Sequence, residues 1–180
     1  MELTPQAIKT QELDIPLHAF GFEFQELSPE KVTGRLLVTP ICCQARTSTC
    51  LFFSISLISL FWIRHPFKVL HGGVLSVIAE SVASVGAYMA AGLIRVAGIQ
   101  LDINHLQSAD LGDLVFAEAT PVSVGKSIQV WEVKLWKLDN PSDSESKSMI
   151  SVSRVTLISN LPVPEHSKDV AKNLAKLAKL

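Results

Sequence analysis

The sequence predicts an α+β domain in which a curved antiparallel sheet wraps round one long central helix. Three observations carry that expectation. Between Gly72 and Ile94 the only charged side chain is Glu80, in a run otherwise apolar or small and long enough for about five to six turns of helix. Two strand-like stretches precede the run and four follow it. Within the last four, Ile128, Val130, Glu132, Lys134 and Trp136 alternate with Gln129, Trp131, Val133 and Leu135, the period-two signature of a strand with one face buried. A helix that is apolar nearly all round is buried nearly all round, so the strands have to cover it.

Taken in order, Ile15–Phe20 predicts a short turn of helix before Gly21. Phe22–Leu27 is a strand, and Ser28-Pro29-Glu30 is a turn. Residues 31–39 alternate as a half-buried strand, ended by Pro40. Residues 45–65 are an atypical apolar insertion, almost continuously apolar from 51 to 63. That run is too short to cross a bilayer as a helix, which takes about 18–20 residues, and no stable membrane span is expected. In the central helix one face reads Leu75, Ile78, Val82, Val85, Met89 and Leu93. The opposite face reads Gly73, Ser76, Ala83, Ser84 and Ala87, small residues that let another backbone or a thin ligand come close. That side calls for a second subunit.

Beyond the helix, residues 96–106 are strand-like and 108–113 form a turn. Leu114–Val124 and residues 126–137 are two strands of a hairpin around Gly125. Residues 139–148 read as a polar, Ser-rich loop, 149–161 as a last strand, and 168–177 as a short amphipathic helix. The expected organisation is a single domain over 1–161 and a tail over 162–180.

With 16 basic and 17 acidic side chains, scattered and summing to a net charge of -1, the chain has no surface built for nucleic acid. Cys42, Cys43 and Cys50 make neither a disulfide framework nor a metal-ligand spacing. Neither a metal site nor a redox-cofactor site is expected. The polar start, MELTPQAIKTQELD, carries no secretory signal pattern, which sets the expectation of a reducing intracellular compartment. The final Ala178-Lys179-Leu180 is a close variant of the Ser-Lys-Leu peroxisomal address, read by an import receptor at the free C-terminus.

Glu80 is the residue that asks for an explanation. Buried without a partner, a carboxylate is costly enough to shift its pKa or take up a function. It is either a solvated or salt-bridged group at the helix edge, or a catalytic acid, base or nucleophile.

Leu70-His71-Gly72-Gly73, Glu80 and Ser84 on the helix, and Asn104-His105-Leu106 beyond it resemble the hotdog-fold acyl-CoA thioesterases, in the branch that uses a helix-borne glutamate. Ser123-Val124-Gly125-Lys126-Ser127 and Ser153-Arg154-Val155-Thr156 extend the resemblance, which covers about residues 13–161. It implies hydrolysis of an acyl-CoA by a homodimer or homotetramer without a cofactor. The chemistry needs a group that attacks the carbonyl or activates water, and a donor for the oxyanion. Glu80 suits the first role and the Gly72 N–H, at the positive end of the helix, the second.

Eight residues of helix separate the two by about 12 Å. Glu80 of one chain is therefore expected to face Gly72 of another across a dimer interface. His71 is a carbonyl donor or a structural helix-start residue, and Ser84 orients water or bonds its own helix. Asn104 and His105 reach the acyl pocket or are satisfied core polar groups. Gly73, Lys126, Ser127 and Arg154 are the remaining substrate-binding candidates. Lys126 and Arg154 would hold the CoA phosphates, with plain surface charge as the alternative.

The family pattern, Gln-Pro-Phe, three residues, then His-Gly-Gly, is broken here. Gln44, the match for the family's thioester-positioning Gln, is followed by residues 45–65 before Pro66-Phe67. The segment is translated intron or an alternative splice product, or else a genuine lineage-specific loop. A catalytically silent isoform that binds acyl-CoA or oligomerises is therefore the alternative from a different class. A broader fatty or aryl acyl-CoA thioesterase is the enzymatic one.

Overall fold

The computed structural model describes residues 10–43, 68–140 and 143–162. Two short helices come first, α1 (Thr10–Leu13) and α2 (Ile15–Phe20). α2 begins where the Asp14 carboxylate accepts the Leu17 N–H at 2.8 Å, a side-chain cap for an otherwise orphaned donor. Strands β1 (Phe22–Leu27) and β2 (Val32–Leu37) follow, then a 3-10 turn at Pro40–Cys42. The long helix α3 spans Gly72–Ala90. Strands β3 (Arg95–His105), β4 (Leu114–Val124), β5 (Ile128–Asn140) and β6 (Asp143–Leu161) complete the order.

All six strands form one antiparallel sheet in the order β1-β2-β4-β5-β6-β3, which leaves β3 on an edge beside α3. The α+β expectation holds, as does the alternation in β5. Gln129, Trp131, Val133 and Leu135 are buried and face α3 with Ile150, Val155 and Leu157 of β6. From the helix come Val74, Leu75, Ile78, Ala79, Val82, Ala83 and Ala87. Each large apolar side chain so buried contributes roughly 1.5–3 kcal/mol.

Helix and sheet are registered at one close contact. A Cβ on Gly86 would lie 2.6 Å from Cζ3 of the fully buried Trp131, so the helix crosses the indole at its glycine. The Trp131 indole N–H donates to Gln129 Oε1 (3.0 Å), and Gln129 Nε2 donates to the Ala87 carbonyl (3.0 Å). These buried polar groups are paired, as burial demands.

Three expectations are corrected. The helix stops at Ala90, short of Ile94: Gly92 and Leu93 turn left-handed at φ 72 and 64. Leu93 N–H bonds the Tyr88 carbonyl and Gly92 N–H that of Met89, both at 2.9 Å, a Schellman ending. Ala83 and Ala87 belong to the buried side, while Val85 is only half-buried. The Ser-rich stretch after 139 is largely ladder, with Leu138 opposite Lys147 and Asn140 opposite Asp143. There the Lys147 ammonium sits 5.5 Å from the Trp136 ring centroid. By length and composition α3 could cross a membrane; its buried stripe is instead the core of this domain. Residues 45–65 and 168–177, with Cys50 and the terminal tripeptide, lie outside the described residues.

Candidate active site

The start of α3 is held from both sides. Leu70 N–H donates to the Ala109 carbonyl, His71 N–H to that of Cys42, and Leu111 N–H to that of Lys68, each at 2.8 Å. His71 then caps the helix, its Nδ1 accepting the Gly73 N–H at 2.8 Å. With Nδ1 accepting, Nε2 is the ring nitrogen left to donate. The Gly72 N–H has no acceptor among the described residues. The His105 ring closes over Gly72, where a Cβ would lie 3.2 Å from Cε1 and Nε2. His71, Gly73 and His105 are exposed and Gly72 half-buried.

Glu80 lies eight residues further along α3, about 12 Å away. The expectation of a helix buried nearly all round is corrected for the single chain, and of the alternatives left open for Glu80 the carboxylate is exposed at the helix edge. The sheet covers only the opposite side of α3. A face running through Gly73, Ser76, Val77, Glu80, Ser84 and Tyr88 stays open or half-open. Glu80 Oε1 sits over Gly98 of β3, 2.8 Å from where a Cβ would be. Glu80, Gly98, Ile99, Gln100, Leu101 and Val155 line a cavity of about 190 Å³. At that point the pairing of β3 with β6 slips by one residue, leaving Ile99 as a bulge between Gly98 and Gln100. Bulges of this kind gather next to active sites.

The remaining candidates are spread wider. His105 faces α3, so its strand neighbour Asn104 points to the other side of the sheet. Arg154 shares that outer side, between Asp102 of β3 and Glu132 of β5 in register. Lys126 and Ser127 form the β4–β5 turn near the far end of α3. There Lys126 lines a second cavity of about 440 Å³ together with Ala90, Ile94, Val124 and Gln129. That turn is fixed through its backbone: the Lys126 carbonyl accepts Ser159 Oγ–H at 3.1 Å and the Ser127 carbonyl accepts Ser159 N–H at 2.8 Å. Both side chains are thereby left exposed. Gln44 lies outside the described residues.

Neither described cysteine is a nucleophile in this setting. Cys42 is buried with Sγ 3.4 Å from the Phe20 carbonyl. Burial first, and Cys42 second, push the Cys43 thiol up. Sequence reading passed over Gly98, although a lone glycine inside a strand pattern signals a bulge or a close approach.

One chain thus holds two separate groups: a backbone N–H with two imidazoles at the helix start, and a carboxylate over a glycine further along. Comparison with known proteins supplies the family. Residues 67–143 match the thioesterase superfamily. The chain is 49% identical over 165 residues to 1,4-dihydroxy-2-naphthoyl-CoA thioesterase 2 of Arabidopsis thaliana, covering 92% of each chain. It is 38% identical over 96 residues to the 1,4-dihydroxy-2-naphthoyl-CoA hydrolase of Listeria monocytogenes, covering 53% of this chain and 72% of that one.

Among solved structures, a Haemophilus influenzae thioesterase superposes with a TM-score of 0.63 at 23% identity, covering 92% of this chain and 96% of that one. A Streptococcus pneumoniae thioesterase protein with coenzyme A gives 0.60 at 14% identity, covering 80% and 90%; at such identities the likeness shows the fold. With α3 lying across a six-stranded antiparallel sheet and a relative 49% identical over 92% of both chains, this chain belongs to the thioesterase superfamily and is a hotdog-fold thioester hydrolase.

Proposed function

We propose that the enzyme hydrolyses 1,4-dihydroxy-2-naphthoyl-CoA to 1,4-dihydroxy-2-naphthoate and CoA, a step in phylloquinone (vitamin K1) biosynthesis. The observation that carries the substrate is the Arabidopsis relative, whose name specifies it, at 49% identity over 92% of both chains.

Glu80 is the reactive group. It either takes a proton from water as that water attacks the thioester carbonyl, or attacks the carbonyl itself and is released by water afterwards. In both cases the C–S bond breaks, the departing thiolate takes up a proton, and one water ends in the acid product. The Gly72 N–H, at the positive end of α3, receives the charge that develops on the carbonyl oxygen. The His71 Nε2–H is a second donor beside it. Gln44 holds the thioester, and Ser84, one turn past Glu80, orients the water.

The 12 Å between Gly72 and Glu80 along one helix supports a site shared by two copies, with Glu80 of one protomer facing Gly72 of its partner. The exposed edge strand β3 and the open face of α3 are the surfaces such a dimer, or a tetramer of two dimers, would cover. Isologous pairing then makes two sites. Lys126 and Ser127 are the contacts for the CoA phosphates. Arg154, flanked in register by two carboxylates, is better matched to those than to a phosphate. The domain runs to residue 161, and the tail that follows delivers the enzyme to peroxisomes through an import receptor that reads Ala178-Lys179-Leu180.

A second reading is favoured by residues 45–65, an apolar run inserted between Gln44 and Pro66: an isoform that binds acyl-CoA without turnover. A thiol-release assay with aryl- and alkyl-CoA thioesters separates the readings. Turnover by this chain, strongest on the dihydroxynaphthoyl thioester and lost by about two orders of magnitude in Glu80→Ala, supports the proposal. Turnover only after removal of 45–65 supports the silent isoform, and equal rates with and without Glu80 reject the mechanism.

A further inference from the structure

We infer that Gly98 is a positioning residue for the Glu80 carboxylate: the absence of a Cβ at this point of β3 is what allows the carboxylate to lie over the strand. The inference rests on the reading of Glu80 as the reactive group and adds a residue to it. Were a methyl group present at Gly98, it would meet Glu80 Oε1 at 2.8 Å, Cδ at 3.6 Å and Cγ at 3.8 Å. No other atom stands that close, so the carboxylate alone has to give way.

Backbone geometry does not call for this glycine. Its φ lies outside the left-handed region, unlike those of Gly21, Gly92 and Gly112. Glycine within a strand weakens it, so folding by itself favours alanine here. The clash would fall on the far end of a flexible side chain, and a rotation of Glu80 relieves it at little cost to the fold. The same rotation carries the reactive oxygen away from its place. The bulge at Ile99 brings the backbone of β3 to the cavity at this same point, so the carboxylate is set by main chain on one side and by its helix on the other.

The oxygen has to retreat from 2.8 Å to at least 3.4 Å to reach ordinary contact. That retreat is about 0.6 Å, and a misplacement of about 1 Å costs up to about 100-fold in rate. The test compares the full chain with Gly98→Ala, Glu80→Ala and the double variant, measuring kcat and KM by thiol release and Tm by thermal melting. Gly98→Ala is expected to lower kcat by about 10- to 100-fold, with KM within about twofold and Tm unchanged or raised. In the Glu80→Ala background Gly98→Ala should cause no further loss.

Normal kcat in Gly98→Ala beside an inactive Glu80→Ala overturns this inference and leaves the role of Glu80 standing. A further fall in the double variant overturns it too, because the effect would then bypass the carboxylate. A chain unfolded by Gly98→Ala contradicts it as well, since the relief is placed in a side-chain rotation. Unchanged turnover in Glu80→Ala, or none in the unaltered chain on any aryl- or alkyl-CoA thioester, removes the underlying reading and this inference with it.

Discussion

Gly86→Ala sets two known effects against each other, and the structure decides which wins. In a helix interior alanine is favoured over glycine by about 0.8–1 kcal/mol. At this position, however, the new methyl group would stand 2.6 Å from Trp131 Cζ3 and 2.7 Å from Cη2. The indole has no room to retreat: it is fully buried and tied by its N–H to Gln129, which is tied in turn to the Ala87 carbonyl. Overpacking of a well-filled core costs about 1–3 kcal/mol. Taking the middle of that range less the helix gain leaves a net loss of about 1 kcal/mol. For a domain of this size that lowers Tm by about 2–4 °C. Thermal and urea denaturation measure it, with Gly86→Ala/Trp131→Phe as the paired variant, because the smaller ring vacates the space the methyl group needs. The double variant should lose less than the two single losses added together. A Gly86→Ala protein more stable than wild type by the full helix-propensity gain would refute the reasoning, since the indole would then have moved freely.

Three further expectations concern the groups that hold the site in place. Gln129→Leu leaves the Trp131 N–H without a partner inside the core, while the Ala87 carbonyl keeps its bond from the Ala91 N–H, and chemical denaturation should register a loss of about 1–3 kcal/mol. Asp113 is pushed up by partial burial but brought below the ordinary carboxylate range overall by its bond to Lys137 at 2.8 Å and by the Asp110 N–H. A lowered native value stabilises the fold fully above the unfolded value near 4 and loses that stabilisation as pH falls through the native one. Asp113→Asn should therefore cost about 1 kcal/mol at neutral pH, with the gap to wild type closing in melts below about pH 4. His71→Ala removes the acceptor for the Gly73 N–H and should cost about 1 kcal/mol, much of it recovered in His71→Asn, a residue that caps well. Activity restored together with stability in His71→Asn would count against a donor role for the imidazole.

Periodicity made most of the framework legible. The strict alternation from Ile128 to Trp136 gave β5 its buried face, and the hydrophobic run after Gly72 gave α3 its start. Where tertiary geometry overrode local composition, the reading slipped. Serines and aspartates after Leu138 look like a loop, yet a strand needs no apolar residues once the ladder supplies its backbone hydrogen bonds. Ala83 and Ala87 are small because the sheet lies against them. The exposed state of Glu80 follows from α3 being covered on one side only, which composition does not reveal. Gly98 and Gly86 matter through distances to residues on other elements, and a strand or helix glycine announces such a contact without naming its partner.

The sharpest test of a site shared between two copies is complementation. Gly72→Pro removes the N–H donor while keeping a residue suited to the first helical position, and Glu80→Ala removes the carboxylate. Each homodimer should be inactive. Subunits mixed in equal amounts and allowed to exchange should recover about one quarter of wild-type activity, because half the dimers are mixed and each holds one intact site of two. Mixed dimers that form and stay as inactive as their parents would contradict the pairing of Glu80 with the neighbouring copy's Gly72.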